Sequence, residues 1–387
     1  MYRVALVASH VIQYQAPFFR MLAARPELDL EVLFCSRHGA EVYRDPEMQT
    51  SLRWDLDLLS GYRHTFLRNY GSGEGWMRLV NPAIVPRLLF GRYDATILFL
   101  GWGTLTSLMA MAACRMSDTP ILMFGDSSYI PAEDSVPRKL RAGVMRAIVG
   151  MTDAFLVSGN YNAVYYRHYG ADPSRFFDVP WAIDNARFAA ASEFAPGERD
   201  AMRARFGIRP DQLAIVFSAK LLPRKDPLTL LRAVARMQHR DQAAVLFLGH
   251  GELREEAERF AREHHVQAHF AGFVNQTELP KHYAMADVFV LPSHDDPRAT
   301  VVNEAMACGL PVILTDRCGP SGDIARHGDN AFVFHPGDDA ALATYLDMLA
   351  ADRARVARMG QRSREIIATW DYARGVEGVL EALRATC

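Results

Sequence analysis

Three basic side chains, Lys220, Arg224 and Lys225, fall within six positions of one another, directly after the apolar run Ala214 to Phe217. A lysine ammonium is a compact point charge, and in a loop between a strand and a helix such charges form a short-range site for phosphate. A solvated basic turn is the other reading of the same residues. Further along, two carboxylates, Asp296 and Glu304, flank the start of a helix-like pattern. Val301, Val302, Ala305 and Met306 give that pattern an apolar face, and Gly309 followed by Pro311 ends it. Free N–H groups in the first turn of a helix, together with its dipole, suit an anion such as a diphosphate. A carboxylate beside such a site is not an anion ligand, so its natural partners are hydroxyl donors, such as those of a sugar or ribose.

These groups need elements to hold them. Val288 to Leu291, stopped by Pro292, reads as a buried strand; the helix from about Thr300 and the strand Val312 to Leu314 complete a βαβ unit. The helix N-terminus then lies at the carboxyl edge of the sheet, where ligands of open α/β sheets bind. The basic loop has the same setting, between a strand from Ala214 to Lys220 and a helix from Leu228 to Met237. Gly249-His250-Gly251 follows the strand Ala244 to Leu248; glycines there permit positive φ or close backbone approach, and His250 reads as a turn residue. Cys318 to Asp323 is a glycine-rich turn at a later strand end.

In the N-terminal half, the strand Tyr2 to Ala8 runs into a polar loop with His10, Gln13 and Tyr14, and Pro17 marks a helix start. There is no GxGxxG, so dinucleotide binding is unsupported. Strands at Ala95 to Leu100 and Ile121 to Phe124 bracket a helix from Thr104 to Arg115, and end in Gly101-Trp102-Gly103 and Gly125-Asp126-Ser127-Ser128. Trp102 and Asp126 are therefore candidate cleft residues. Asp126 capping its own turn is the bland alternative.

The chain has 387 residues, too many for one ordinary core, and suits two domains. Half of it is apolar and its formal charge is -2, so nothing pulls it toward nucleic acid. Its five cysteines lack CxxC or His-paired spacing, which predicts a reducing compartment and no structural zinc. The start does not resemble a signal peptide, and Leu105 to Cys114 is too short to span a bilayer. Residues 136–150 alternate Arg138, Lys139, Arg141 and Arg146 with apolar positions. Such a helix rests either on a domain surface or, as a peripheral contact, on an anionic membrane.

Asp296 and Glu304, two acidic residues separated by seven others, precede AMACGLPV and resemble the signature of the retaining nucleotide-sugar glycosyltransferases of family 4, and the match is specific from Val302 to Val312. The front departs from that pattern: Asp296 stands where glutamate is usual, and Arg298 and Ala299 replace an aromatic-glycine pair. The resemblance implies the GT-B fold, two doubly wound Rossmann-like α/β domains facing across a cleft. It implies an N-terminal acceptor-binding domain over 1–190, a nucleotide-sugar domain over 191–368, and a last helix, 369–387, packing back on the first domain with Trp370 as anchor. Pro180, Asp184 and Phe188 match the connection out of the first domain.

The site residues follow by the same resemblance. Lys220 and Lys225 contact the donor diphosphate, Asp296 a sugar hydroxyl and Glu304 the ribose. Arg298, Ala299 and Thr300 line the donor, Gly249 and Gly251 form the GxG element, and backbone near Phe273 and Val274 lies along the base. Asp126 stands near the reacting sugar, and His10, Gln13, Tyr14 and Trp102 face the acceptor. The aromatic stretch with Tyr43, Trp54, Tyr62 and Tyr70 is either acceptor-contacting or loops and a hairpin. Arg298 either favours an acidic or amide-bearing donor sugar or turns outward. The expected activity is transfer from a UDP-sugar, or a GDP-sugar, to a glycan, lipid-linked or small-molecule acceptor, in the cytoplasm or at the inner membrane face. Neither cofactor nor metal is expected, although Asp295-Asp296 leaves a metal in play. An epimerase or phosphorylase, or a sugar-nucleotide-binding protein without catalysis, are the alternatives.

Overall fold

Runs of buried aliphatic residues, each closed by a glycine, proline or polar turn, build two separate parallel sheets. The computed structural model describes residues 1–45, 47, 50–73, 75–125, 127 and 136–387, with backbone only at 44, 50 and 136–140. Met1–Tyr43, Asp57–Trp181 and Tyr372–Cys387 make one compact unit; Arg44–Leu56 and Ala182–Asp371 make the other.

In the first unit seven parallel strands lie in the order Arg63–Phe66, Leu28–Phe34, Tyr2–Ala8, Ala95–Leu98, Ile121–Phe124, Ala154–Val157, Phe176–Asp178. The strand order reverses beside Tyr2–Ala8, whose Val4 to Ala8 are wholly buried. Buried Asn81 ties the loops at this carboxyl edge together: its amide donates to the carbonyls of Cys35 (2.9 Å) and Arg68 (3.1 Å), and its Oδ1 accepts from Thr106. The final helix, Tyr372–Thr386, packs on this unit. A Cβ at Gly378 would lie 2.1 Å from the Asp178 carbonyl oxygen, so only glycine lets the helix approach that strand. Tyr372 anchors the helix: its ring stacks on Phe18 and its hydroxyl donates to the Tyr14 carbonyl at 2.6 Å. Trp370 belongs to the second unit, where its carbonyl accepts from Asn185.

The second unit has six parallel strands in the order Ala268–Gly272, Ala243–Leu248, Leu213–Ser218, Val288–Leu291, Val312–Thr315, Ala331–Phe334. Here the order reverses between Leu213–Ser218 and Val288–Leu291, which pair through Ile215 and Val288. Crevices at such reversals take the ligands of doubly wound sheets. The main stretch of the unit begins at Ala182, before the expected boundary at 190, with the helix Asn185–Ala191 bound into it. Asp184 caps that helix through the Arg187 N–H at 3.0 Å, and the Asn185 amide donates to the Ile367 carbonyl at 2.8 Å.

The helix Val136–Gly150 turns Met145, Ile148 and Val149 into the core of the first unit, while Arg141 and Arg146 are exposed. An ordinary domain-surface helix accounts for these described side chains. Among the described residues no helix is long and apolar enough to cross a membrane.

Candidate functional site

Two loops leave the two strands that flank the reversal in the second unit. The first carries Lys220 and Lys225. Lys225 closes a short 3-10 turn, Pro223–Lys225, and Asp226 behind it takes a left-handed conformation (φ 45°) while capping the helix Pro227–Arg236 through the Thr229 N–H. That sharp turn aims a buried lysine, 8 % exposed, at the second loop. The second carries His294 to Ala299 into the helix Thr300–Ala307. They are joined directly: the His294 N–H donates to the Arg224 carbonyl at 2.9 Å, and the Lys225 ammonium pairs with the Asp296 carboxylate.

Asp296 also accepts from the Ala299 N–H at 3.1 Å, so Lys225, Asp296 and the helix tip form one connected cluster. Asp296 is thus engaged by a lysine and a backbone amide. Burial, then the neighbouring Asp296 charge, raises the Asp295 carboxyl above its ordinary range. Ala299 is 3 % exposed and sits at φ 38°, a region that costs an L-residue about 1–2 kcal/mol. No side chain of Ala299 caps the helix, and its first turn holds no acid. Gly319 completes the floor of this loop: its N–H donates to the Asp296 carbonyl at 2.9 Å, and a Cβ there would lie 1.9 Å from the Pro297 carbonyl oxygen.

Gly249 and Gly251 have a steric cause. A Cβ on them would lie 2.1 Å from the Ala219 carbonyl oxygen and 2.4 Å from that of Leu221. The lysine loop passes directly over this glycine turn, fixed by the Leu221 N–H to the His250 carbonyl (3.0 Å) and the Leu253 N–H to the Leu221 carbonyl (3.0 Å). The glycines therefore position Lys220.

Lys220 is not open. Its ammonium lies 3.0 and 2.8 Å from the two oxygens of Asp45 and 2.6 Å from Glu47, both in the Arg44–Leu56 segment of the same unit. Asp45 is 8 % exposed, and the Lys220 hydrogen bond holds the Glu47 carboxyl below its ordinary range. The segment is pinned again further on: the Asn275 amide donates to the Arg53 carbonyl at 2.7 Å, Thr277 donates to Asp55, and the Trp54 ring lies 6.0 Å from Phe273. Phe273 and Val274 are half-buried. Nothing near Tyr43 and Trp54 in the linear chain announced an acidic partner for Lys220.

Glu304 lies inside the first helical turns, 5 % exposed. Tyr283 donates to its Oε2 at 2.9 Å, and Gln276, itself gripped by Arg187 at 2.8 Å, also hydrogen-bonds it. Burial outweighs these contacts and pushes the carboxyl up to about 7. Arg298 is half-buried and Thr300 opens the helix.

The four remaining candidates lie in the first unit. His10 follows the strand Tyr2–Ala8, 2.9 Å from the Ser9 hydroxyl, its ring 5.2 Å from that of His38. Half-buried Gln13 and Tyr14 follow, Tyr14 edge-on to Trp181 at 5.7 Å. Trp102 follows Ala95–Leu98; its indole N–H donates to Tyr165 at 3.2 Å, with Trp76 at 5.4 Å and the Arg141 guanidinium at 5.7 Å. All four thus occupy carboxyl-edge loops. Asp126 lies outside the described residues. Among the described residues no group of three His, Cys, Asp or Glu is arranged to hold a metal ion.

Residues 198–366 match the family model described as glycosyl transferases group 1. The chain is 30 % identical over 228 residues to D-inositol 3-phosphate glycosyltransferase of Rhodococcus opacus, covering 56 % of this chain and 50 % of that protein. It is 33 % identical over 196 residues to the GDP-mannose-dependent alpha-(1-6)-phosphatidylinositol monomannoside mannosyltransferase of Mycolicibacterium smegmatis, covering 48 % and 50 %. The chain spans about half the length of these curated relatives. Among solved structures, Anabaena HepE in complex with UDP superposes with a TM-score of 0.75 at 16 % identity, over 99 % of this chain and 100 % of that one. The resemblance read from Val302 to Val312 agrees with the match to the group 1 glycosyl transferases, its retaining character aside, and the pair of Rossmann-like domains with the structural likeness.

Proposed function

We propose that a chain whose residues 198–366 match the group 1 glycosyl transferases is itself a retaining glycosyltransferase that uses a nucleotide diphosphate sugar. The observation that carries the proposal is the cluster at the strand reversal of the second unit: two lysines and an uncapped helix tip on adjoining loops. UDP-sugars are the favoured donors and GDP-sugars the second choice; HepE was solved with UDP and the mycobacterial relative is named for GDP-mannose. The acceptor is a hydroxyl of a glycan, a lipid-linked sugar or a small molecule, and the inositol-bearing acceptors in the relatives' names belong to that range.

Charge accounting gives the steps. The bond from the anomeric carbon to the diphosphate oxygen breaks, leaving an oxocarbenium-like sugar and a growing negative charge on phosphate. Lys220, Lys225 and the helix amides near Thr300 stabilise that charge, each fixed in advance by its loop. The acceptor oxygen bonds to the anomeric carbon on the face the phosphate is leaving, and its proton passes to the departing phosphate oxygen. Asp296 turns from Lys225 toward a sugar hydroxyl as phosphate takes the lysine, and Glu304 accepts from the ribose. No step calls for a metal ion.

A thermal-shift screen with UDP-, GDP-, ADP- and dTDP-sugars identifies the donor, because a ligand at a hundred times its Kd adds about 2.7 kcal/mol. Product analysis with and without an acceptor then separates transfer from epimerisation, phosphorolysis or binding alone. Lys225→Ala should lower turnover about 100- to 1,000-fold, the loss typical of one charge-stabilising group. Unchanged turnover would reject its role.

A further inference from the structure

The Lys220 ammonium has three N–H bonds, and three carboxylate oxygens, two from Asp45 and one from Glu47, lie within 3.0 Å of it. Its donors are therefore all committed, and a phosphate oxygen can reach it only by displacing one of them. Glu47 also stands 3.4 Å from Arg224, an exposed cation of this loop. The two acids thus meet the lysine loop as the two charges of a diphosphate would. They sit on a segment whose far end, Arg53 to Asp55, is fastened to Asn275 and Thr277 beside Phe273. At Arg53 to Asp55 it is held by hydrogen bonds from Asn275 and Thr277, and at Asp45 and Glu47 by ion pairs that a polyanion can exchange.

We infer that Asp45 and Glu47 are an internal competitor for the donor's diphosphate, released from Lys220 and Arg224 when the donor binds. This rests on the donor reading above and adds to it a gate: the cationic loop is neutralised until a ligand of matching charge arrives. Inorganic phosphate and other small anions face the same competition with fewer compensating contacts, so the arrangement favours a full nucleoside diphosphate over its fragments.

The test is isothermal titration of UDP and of GDP into the full chain and into the Asp45→Asn/Glu47→Gln variant, at 50 and 300 mM NaCl. Removing the competitor should tighten nucleotide binding about tenfold, the weight of partly exposed ion pairs near the upper end of their range. The salt response separates competition from a merely structural role. In the wild type, salt weakens both the internal pair and the ligand pair, so the losses partly cancel; in the variant only the ligand pair remains, and affinity should fall more steeply with salt. Asp55→Asn, which loosens the anchor and leaves the acids intact, should tighten binding in the same direction by a smaller factor, with circular dichroism checking the fold of both variants. Equal affinities and equal salt slopes, or weaker binding by the double variant, would overturn the gate while leaving the donor reading standing. Failure of both nucleotides to bind any of the three proteins at millimolar concentration would overturn the donor reading, and the gate with it.

Discussion

Glu304→Gln isolates the energetics of the buried carboxyl. In the folded chain burial raises its pKa from 4.5 to about 7, while in the unfolded chain it titrates normally. Between those values the folded state holds a proton that the unfolded state has released, so stability falls as pH rises through the window from about 4.5 to about 7 and is flat beyond it. At 1.36 kcal/mol per pKa unit the loss is about 3 kcal/mol. Four groups face the carboxyl: Tyr283 donates to it, Gln276 hydrogen-bonds it, Arg187 attracts it and the Cys308 thiol lies near it. Glutamine keeps the shape and can still accept from Tyr283, but cannot ionise. Urea unfolding of both proteins at pH 5, 6, 7 and 8, followed by circular dichroism, reads the difference between them, so pH effects from other residues cancel. The wild type should lose about 2.5 kcal/mol relative to the variant from pH 5 to 8, since part of the window lies below pH 5. Parallel stability curves would refute the burial account of Glu304.

Three further outcomes are expected. Gly249→Ala should destabilise the second unit by about 1–3 kcal/mol, since its φ of 146° and the Ala219 carbonyl leave no room for a methyl group, and it should weaken nucleotide binding by shifting Lys220; thermal unfolding and titration read the two effects. Arg203→Met removes a guanidinium that is 2 % exposed and paired with Asp287 at 2.9 Å. Because Arg199 and Arg353 remain on Asp287, the loss should lie at the low end of about 3–5 kcal/mol, measured as a drop in Tm. Arg298→Ala should change the ranking of donor sugars in competition assays; an equal loss for all donors would count against a selective role.

What could be read from the chain depended on how far apart the partners lie. Val288–Leu291 ends where Pro292 stops the apolar run, and Thr300–Ala307 starts and ends where its pattern and Gly309 indicate, because these signals are local. The edge strand Arg63–Phe66 went unread: its residues are only part-buried, so no alternation marks it. The strand Phe176–Asp178 has the same half-buried character and only three residues. At the site, the lysines, the helix tip and the two carboxylates were legible as types, yet their pairing was not. Lys220 meets Asp45 across 175 positions and Lys225 meets Asp296 across 71, and no spacing rule connects charges that only the sheet topology brings together. The partners of the Glu304 carboxyl, Tyr283 and Arg187, likewise lie on other elements.

Because Tyr372–Cys387 completes the first unit while Ala182–Asp371 builds the second, the first unit is interrupted by nearly the whole of the other. On the ribosome its seven strands emerge early, but Phe18 and the strand Phe176–Asp178 wait for Tyr372 and Gly378 until the second unit has been synthesised. The usual N-terminal-first order of domain folding is thereby reversed: the later-made body can finish first, and the earlier-made one carries an exposed apolar seam in the interval. A nascent chain stalled before residue 372 should bind a chaperone at that seam and release it once Tyr372 to Leu383 are made.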